Sequence, residues 1–221
     1  MTESERVKRA VQSCLADLPW AQKSGQRLAK RVFDILLSTI LLLLTWPIGL
    51  LVAVIVRATS RGPVLFVQTR LGHFGVPFQM YKFRTMTDGK PDGSAHDLKE
   101  VTATDPRLTP VGGILRASRL DEWPQLFHVL RGEMSLVGPR PDIPQSLPRY
   151  RDDQLVRFAM PQGCTTWGVV RGGLLNDWSA RQDINAEYAW RWSFLLDLKI
   201  IVQTAVVLSL QRGTNPESAE N

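Results

Sequence analysis

Cysteine and histidine are scarce in this sequence. Its 221 residues include two cysteines, Cys14 and Cys164, and three scattered histidines. So few potential ligands, without metal-binding spacing, exclude both a disulfide framework and a structural zinc site. Zinc chemistry is therefore not expected.

Low-complexity segments are also missing. Charged residues make up 22% and apolar residues 44% of the chain, a composition that supports a hydrophobic core and excludes a disordered chain. The length predicts one compact domain, or one domain with an appendage. A net charge of +6 suits a partner that carries phosphate, which could be a nucleic acid, an anionic membrane surface or a phosphorylated substrate.

The first 31 residues have no signal-peptide pattern, because charged residues precede any apolar stretch. Export is therefore not expected. Apolar side chains recur in this segment at helical spacing: Val7, Val11, Cys14, Leu15 and Leu18. The spacing predicts a short amphipathic helix that lies on a surface or against a partner, or that is only loosely attached.

A long apolar run follows. Residues 35–56 contain no charge over 22 positions, which is long enough to cross about 30 Å of hydrocarbon. Cations flank the run on both sides, so both ends are predicted to be cytoplasmic. Pro47 removes a backbone donor near the middle, which predicts a kink or a break. A re-entrant hairpin satisfies both features, and a straight span with a proline kink is the alternative.

Two short strands are predicted from VLFVQTR and PFQMYKFRTM, joined by a turn at residues 72–75. Lys82 and Arg84 are two positions apart, so their side chains lie on the same face of the second strand. The two cations would hold an anion between them, or they lie on a solvated strand edge. Residues 87–105 have a loop composition and are interpreted as a mobile loop.

A helix is predicted to begin near Asp121, capped by Ser118 or Asp121 and with Pro124 in its first turn. Asp121 and Glu122 would then lie at the positive end of the helix dipole, which favours ionised carboxylates. His128 would be stacked beneath Asp121. An ordinary helix cap is the alternative.

Arg140 lies between Pro139 and Pro141, which stiffen the backbone on both sides of it. The guanidinium is thereby presented from a rigid loop, and its planar fork matches pairs of phosphate oxygens. A structural salt bridge is the alternative.

The C-terminal apolar segment, residues 194–210, is interrupted by Asp197, Lys199 and Gln203. An interfacial or core helix is therefore expected rather than a membrane span. Three tryptophans precede or lead into it and would lie either at headgroup depth or in the core: Trp178, Trp190 and Trp192.

Taken in order, seven segments resemble the bacterial sugar transferase family, the small monotopic phosphoglycosyl transferases. These segments are KRVFDILLS, the proline-interrupted apolar run, GPVLFVQTRLG, YKFRTM, DPRLTPVGGILRASRLDEWPQL, GEMSLVGPRP and SFLLDLKI. The resemblance covers residues 30–210. It implies an α/β fold, in which a small globular catalytic domain carries a proline-broken re-entrant membrane helix and interfacial amphipathic helices.

The resemblance also implies a domain organisation and a location. Residues 1–29 would be an N-terminal extension, 30–60 the re-entrant helix broken at Pro47, 61–212 the catalytic domain and 213–221 a disordered tail. The protein would lie on the inner leaflet of the bacterial inner membrane with its catalytic domain facing the cytoplasm. A homodimer is left open, and no nucleic-acid partner is expected.

The implied activity is transfer of a phosphosugar from a UDP-sugar to polyprenyl phosphate, with Mg²⁺ as cofactor and UMP as product. By resemblance, Asp121 is the nucleophile that becomes a phosphosugar ester, and Glu122 binds the magnesium. Lys82 and Arg140 match basic residues of the phosphate pocket. This reaction would prime the synthesis of a cell-surface glycan.

Three departures from the family pattern are present. Trp46 replaces the serine usually found before Pro47, and His128 stands where asparagine is frequent. Residues 160–173 differ from RPGITGWAQVNGR, a segment expected to contact the nucleotide or sugar. One alternative function is therefore a catalytically silent relative that acts as a membrane scaffold. A membrane-anchored nucleic-acid binder ranks last, because the sequence contains no recognition helix, stacking motif or zinc module.

Overall fold

The computed structural model describes residues 2–87, 105–171 and 177–211, with side chains as far as residue 207. The predicted loop, apart from its two end residues, and the predicted C-terminal tail lie outside the described residues. The strands are β1 (Leu65–Leu71), β2 (Pro77–Phe83), β3 (Met134–Val137) and β4 (Gln162–Thr165). The helices are α1 (Glu3–Cys14), α2 (Pro19–Gln22), α3 (Ser24–Thr59), α4 (Gly112–Ala117), α5 (Gln125–Arg131), α6 (Trp167–Arg171), α7 (Trp178–Arg191) and α8 (Phe194–Gln211).

The strands form two small sheets. β1 and β2 pair antiparallel, in a register that runs from Leu65 opposite Phe83 to Leu71 opposite Pro77. This confirms the predicted hairpin. β3 and β4 pair in parallel, with Met134 opposite Gln162 and Val137 opposite Thr165. The fold is therefore a mixed helix and strand structure in which helices predominate.

Helix α1 packs onto the main hydrophobic core. Its Val7 and Val11 are completely buried, and a capping box between Thr2 and Glu5 begins the helix. Gly75, in the turn between β1 and β2, has a φ of +68°, and a Cβ there would lie 2.9 Å from the Val7 side chain. Only glycine at this position allows α1 to pack against the turn. The predicted amphipathic helix is confirmed, and the surface against which it lies belongs to its own chain.

Helix α3 is continuous over 36 residues and passes through Pro47 without interruption. The predicted break at Pro47 is therefore absent from this helix. A proline removes one backbone donor, here the one that would bond the Leu43 carbonyl, and the Thr45 hydroxyl makes a separate hydrogen bond to the Leu41 carbonyl at 2.5 Å. The helix would be about 54 Å long at 1.5 Å per residue. Among the described helices it is the one long and apolar enough, by length and composition, to cross a membrane.

One face of α3 packs along the globular part of the protein. The buried residues recur at helical spacing from the first half of the helix to its end: Lys30, Asp34, Ser38, Gly49, Val52 and Val56. The other faces carry leucines with 57–72% of their surface exposed: Leu36, Leu43, Leu44, Leu50 and Leu51. The apolar run thus has a side that contacts protein and a side that suits lipid.

A buried polar cluster joins the start of α3 to α8 and β3. The Lys30 Nζ lies 2.6 Å from the Asp197 Oδ2 and donates to the Val137 carbonyl at 3.0 Å. Tyr188 and Trp192 donate to the two oxygens of Asp197 at 2.5 and 3.1 Å. Asp197, which interrupts the apolar pattern of the C-terminal segment, is therefore an internal partner of Lys30.

Helix α8 packs one side on the core, as one of its two predicted environments requires. Ile200 is completely buried, whereas Leu195, Val202 and Val206 are 52–76% exposed. The preceding Trp192 is also completely buried, with its ring 4.7 Å from that of Trp20 in an edge-to-face contact. The side of α8 that faces the core is fixed by packing, and its other side leaves an apolar strip exposed.

We expect Lys30→Met to destabilise the fold strongly. The substitution leaves the buried Asp197 carboxylate without its cation, which typically costs about 3–5 kcal/mol. The midpoint of thermal unfolding in detergent should therefore fall by roughly 10 °C. Lys8→Met, at an exposed lysine of α1, is the control. Equal midpoints for the two variants would show that the cluster contributes nothing to stability.

Candidate active site

The structure brings together the four side chains that the sequence singled out. Lys82 extends from β2, Asp121 and Glu122 lie in a single 3₁₀ turn between α4 and α5, and Arg140 follows β3. The Glu122 Oε1 lies 2.8 Å from the Lys82 Nζ and 3.1 Å from the Arg140 Nη2. Glu122 is thus the meeting point of three segments.

The acidic pair precedes α5 instead of beginning it. Helix α5 starts at Gln125 and has seven residues, with Pro124 as the residue before it, so the predicted capped helix start at Asp121 is wrong. Arg119 adopts a left-handed conformation with φ of +57°, which ends α4 and turns the chain into the acidic segment. Asp121 and Glu122 are therefore held by a turn, and the helix-dipole argument does not apply to them.

The carboxylate of Asp121 has no protein partner among the described residues. No ion pair or hydrogen bond to its side chain forms within them, although only 8% of Asp121 is exposed. Burial raises the pKa of Asp121, and the charge of Lys82 partly offsets this effect. Asp121 is consequently a carboxylate that lies near the cationic side chains of Lys82 and Arg140 without pairing with either of them.

Glu122 has the opposite electrostatic environment. Burial disfavours its ionisation, but the charges of Lys82 and Arg140 outweigh burial and hold the pKa of Glu122 well below its ordinary value. Burial lowers the pKa of the Lys82 ammonium, an effect that Glu122 opposes. The adjacent Glu122 also raises the pKa of Arg140. Two adjacent carboxylates therefore differ sharply, one neutralised by cations and one unpaired.

Arg157 holds the loop that carries Arg140. It is almost completely buried, and its guanidinium donates to the Arg140 carbonyl and, at 2.8 Å, to the Tyr150 hydroxyl. The loop also needs glycine at position 138, because a Cβ there would lie 2.4 Å from the Pro161 carbonyl oxygen. The sequence analysis missed Arg157, since nothing local distinguishes a buried arginine from the many exposed ones.

His128 holds the strand that carries Lys82. The Tyr81 backbone N–H donates to the His128 Nε2 at 3.1 Å, and the other ring nitrogen lies 2.6 Å from a Glu133 oxygen. This assigns the proton to Nδ1, because Nε2 acts as an acceptor. His128 is therefore joined to β2, and the prediction that it is stacked beneath Asp121 is wrong.

Arg84 is separated from the site. Its guanidinium donates to the Ser60 carbonyl at 2.9 Å and to the Ser60 hydroxyl at 2.7 Å, and only 7% of Arg84 is exposed. It lies one residue beyond β2 and ties that strand to the end of α3. The predicted pair of cations on one strand face is thus divided between a site residue and a structural residue.

The divergent segment 160–173 is built into the scaffold where it is described. Gln162 is completely buried, and its amide donates to the Met160 carbonyl at 3.0 Å. Arg171 pairs with Glu187 at 2.5 Å and lies over the Trp167 ring, 4.5 Å from its centre. These departures from the family pattern have internal partners, and Gln162 has no exposed surface.

A metal ion would have two carboxylates to bind here. The described residues contain no cluster of three or more histidine, cysteine, aspartate or glutamate side chains that could hold an ion by themselves. Mg²⁺ commonly takes one or two carboxylates and completes its shell with substrate phosphates and water. Asp121 and Glu122 fit an ion that binds together with a diphosphate.

The site thus combines two cationic side chains with two carboxylates, of which Asp121 has no partner among the described residues. Residues 25–211 match the sequence model of the bacterial sugar transferases. The chain is 39% identical over 194 residues to the uncharacterized sugar transferase EpsL of Bacillus subtilis (strain 168), covering 86% of this chain and 94% of the relative. This chain belongs to the bacterial sugar transferase family.

Two further relatives have more specific names. The undecaprenyl-phosphate glucose phosphotransferase of Komagataeibacter xylinus is 42% identical over 188 residues, which cover 80% of this chain and 35% of the relative. A UDP-glucose:undecaprenyl-phosphate glucose-1-phosphate transferase of Caulobacter vibrioides is 42% identical over 185 residues, covering 80% of this chain and 68% of the relative. The chain thus spans nearly all of EpsL but about a third of the Komagataeibacter protein.

We expect neutral substitutions at the two acids to change stability in opposite directions. Asp121 binds its proton more tightly in the folded state, so its ionisation at neutral pH destabilises the fold and Asp121→Asn should raise the unfolding midpoint. Glu122 binds its proton less tightly when folded, so Glu122→Gln should lower the midpoint. Each shift should be about 2–4 °C, which corresponds to about 1 kcal/mol at this chain length.

Thermal unfolding measured from neutral to acidic pH tests this pair. Both shifts should shrink on acidification: Asp121 becomes protonated in both states below its ordinary pKa, and Glu122 loses its contribution as the pH falls toward its lowered pKa. Shifts of the same sign at neutral pH would contradict the electrostatic description of the site.

Proposed function

We propose that this chain transfers a phosphosugar from a UDP-sugar to undecaprenyl phosphate and releases UMP, as the priming step of cell-surface glycan synthesis. The names of the Komagataeibacter and Caulobacter relatives support both substrates. UDP-glucose is the first donor to test, because both names specify glucose. The single structural observation that carries the proposal is the Asp121 carboxylate, which has no partner in the described part of the chain and lies next to Glu122, the residue that binds Lys82 and Arg140.

Two displacements at the β-phosphorus account for the transfer. In the first, an Asp121 carboxylate oxygen attacks the β-phosphorus, the bond from that phosphorus to the bridging oxygen breaks, and UMP leaves with the bonding electrons. In the second, an oxygen of undecaprenyl phosphate attacks the same phosphorus and the Asp121 carboxylate leaves. The product is undecaprenyl diphosphate sugar, and the enzyme returns to its initial state.

The cations make this attack electrostatically feasible. A carboxylate and a diphosphate repel each other, and Lys82 and Arg140 lie at the site to offset the repulsion. Their charge is already balanced in part by Glu122, so a diphosphate would compete with Glu122 for both side chains. Mg²⁺, if bound by Glu122 together with the donor, would neutralise charge on the phosphates.

The packing of α3 supports a position in one leaflet. Its buried face runs beside the globular part from Lys30 to Val56, so a straight span would carry the attached charged groups into hydrocarbon, at a cost of several kcal/mol for each charge. Cations also flank both ends of the apolar run, with Arg57 and Arg61 beyond its C-terminal end. We therefore propose that both ends of α3 face the cytoplasm, with α8 resting at the interface on its exposed apolar strip.

Purified enzyme incubated with UDP-glucose and Mg²⁺, but without lipid phosphate, should release a burst of UMP no larger than one per active site. The protein mass should rise by one hexose phosphate, because the second displacement has no acceptor. Asp121→Asn should abolish both signals, since an amide is not a competent nucleophile, and other UDP-sugars should be screened in parallel.

Two outcomes would contradict parts of this proposal. UMP release that depends strictly on lipid phosphate, without a mass adduct, would replace the two-step mechanism by direct attack of the lipid on the donor. Absence of UMP with every UDP-sugar, with or without lipid, would favour the silent scaffold.

Labelling of single cysteines tests the membrane position. We expect Leu28→Cys and Arg61→Cys, at two exposed positions flanking the buried part of α3, to react with an impermeant maleimide only from the cytoplasmic side. The background should lack Cys14 and Cys164, and inverted and right-side-out vesicles provide the two orientations. Reaction of either cysteine from the periplasmic side would establish a true span.

A further inference from the structure

Trp123, the residue after Glu122, reaches the middle of the apolar helix. Its indole Nε1 donates to the Thr45 Oγ1 at 2.8 Å, and the Thr45 hydroxyl donates in turn to the Leu41 carbonyl at 2.5 Å. A hydroxyl has one proton and two lone pairs, so Thr45 can make both hydrogen bonds at once. The contact joins residues that are 78 positions apart in the chain.

Gly49 lets the indole approach the backbone of α3. A Cβ at position 49 would lie 2.8 Å from two carbons of the Trp123 ring, closer than side chains tolerate. Gly49 is one helical turn beyond Thr45, with Pro47 between them. The indole therefore contacts α3 on both sides of the proline.

The other side of the indole contacts the elements of the active site. The ring of Trp123 stacks on Phe83, with 6.1 Å between centroids and an interplanar angle of 16°, and Phe83 follows Lys82 in the chain. No side-chain hydrogen bond caps the turn that holds Asp121 and Glu122. Trp123 is thus the neighbour that the acidic turn, the Lys82 strand and the membrane helix have in common.

We propose that Trp123 is a positioning residue that, through Thr45 and Gly49, sets the place of the Asp121–Glu122 turn relative to the membrane helix. The proposal rests on the proposed function. The acceptor phosphate of a polyprenyl lipid lies at a depth set by the bilayer, so the attacking carboxylate must be held at a matching depth. A hydrogen bond from the residue next to the acids to the middle of the apolar helix supplies that constraint.

Two substitutions remove the hydrogen bond from either side. Thr45→Val is nearly isosteric and replaces the hydroxyl by a methyl group, whereas Trp123→Phe removes the N–H and also shortens the ring system that contacts Gly49. Each should lower kcat about three- to ten-fold, the range that corresponds to one lost buried hydrogen bond. The KM for the donor should change by less than about two-fold, because Lys82 and Arg140 bind the phosphates.

Matched variants separate positioning from folding. Thr45→Ser keeps the hydroxyl and should retain most of the activity, and Trp46→Phe changes the neighbouring tryptophan, which is 58% exposed, and should behave as wild type. The double variant should be no slower than the slower single variant, since both remove the same interaction. Burst amplitude counts active sites, so a folding defect lowers the amplitude, whereas a positioning defect lowers the rate per site.

Wild-type rates per site in Thr45→Val and Trp123→Phe, or losses that multiply in the double variant, would overturn the positioning role. A reduced amplitude with a normal rate would show that the contact only supports folding. A wild-type enzyme that releases no UMP from any UDP-sugar, with or without lipid phosphate, would count against the proposed function itself, so the two failures are distinguishable.

Discussion

The carboxylate of Glu122 is the interaction on which the candidate site depends. It binds Lys82 from the hairpin and Arg140 from the loop after β3, and so draws two separate cations to the acidic turn. Because Glu122 takes up these cations, the adjacent Asp121 stays without a partner among the described residues. Burial raises the pKa of Asp121, whereas the charges of Lys82 and Arg140 hold the pKa of Glu122 below its ordinary value.

Lys82, Arg140 and the Asp121–Glu122 turn are each supported by a residue outside the ion pairs. Arg157 bonds to the carbonyl of Arg140, and His128 accepts from the backbone of Tyr81 beside Lys82. Trp123 connects the turn to Thr45 in α3. A different neighbour therefore fixes the backbone near each cation and near the acidic turn. These contacts limit how far the site residues can move when no ligand is bound.

Helix α3 serves two environments at once. Its buried face changes along its length from the charged contacts of Lys30 to the small surface of Gly49 and then to Val52 and Val56. Its remaining faces carry exposed leucines. A helix that is apolar on all sides could pack against the globular part in many orientations. The changing buried face of α3 fixes both the rotation and the register of this helix against the domain.

The sequence by itself determined the elements that depend on neighbours in the chain: the hairpin, the amphipathic α1, the apolar run and the family motifs. It misplaced the start of α5, left Arg84 open between an anion site and a solvated strand edge, and did not reveal Arg157 or the Thr45–Trp123 contact. Only the tertiary structure decided which distant residues meet, since Lys82 and Glu122 are 40 positions apart and Trp123 and Thr45 are 78 positions apart. Periodicity reports the burial of a face, but only packing selects which distant group lies opposite a buried charge.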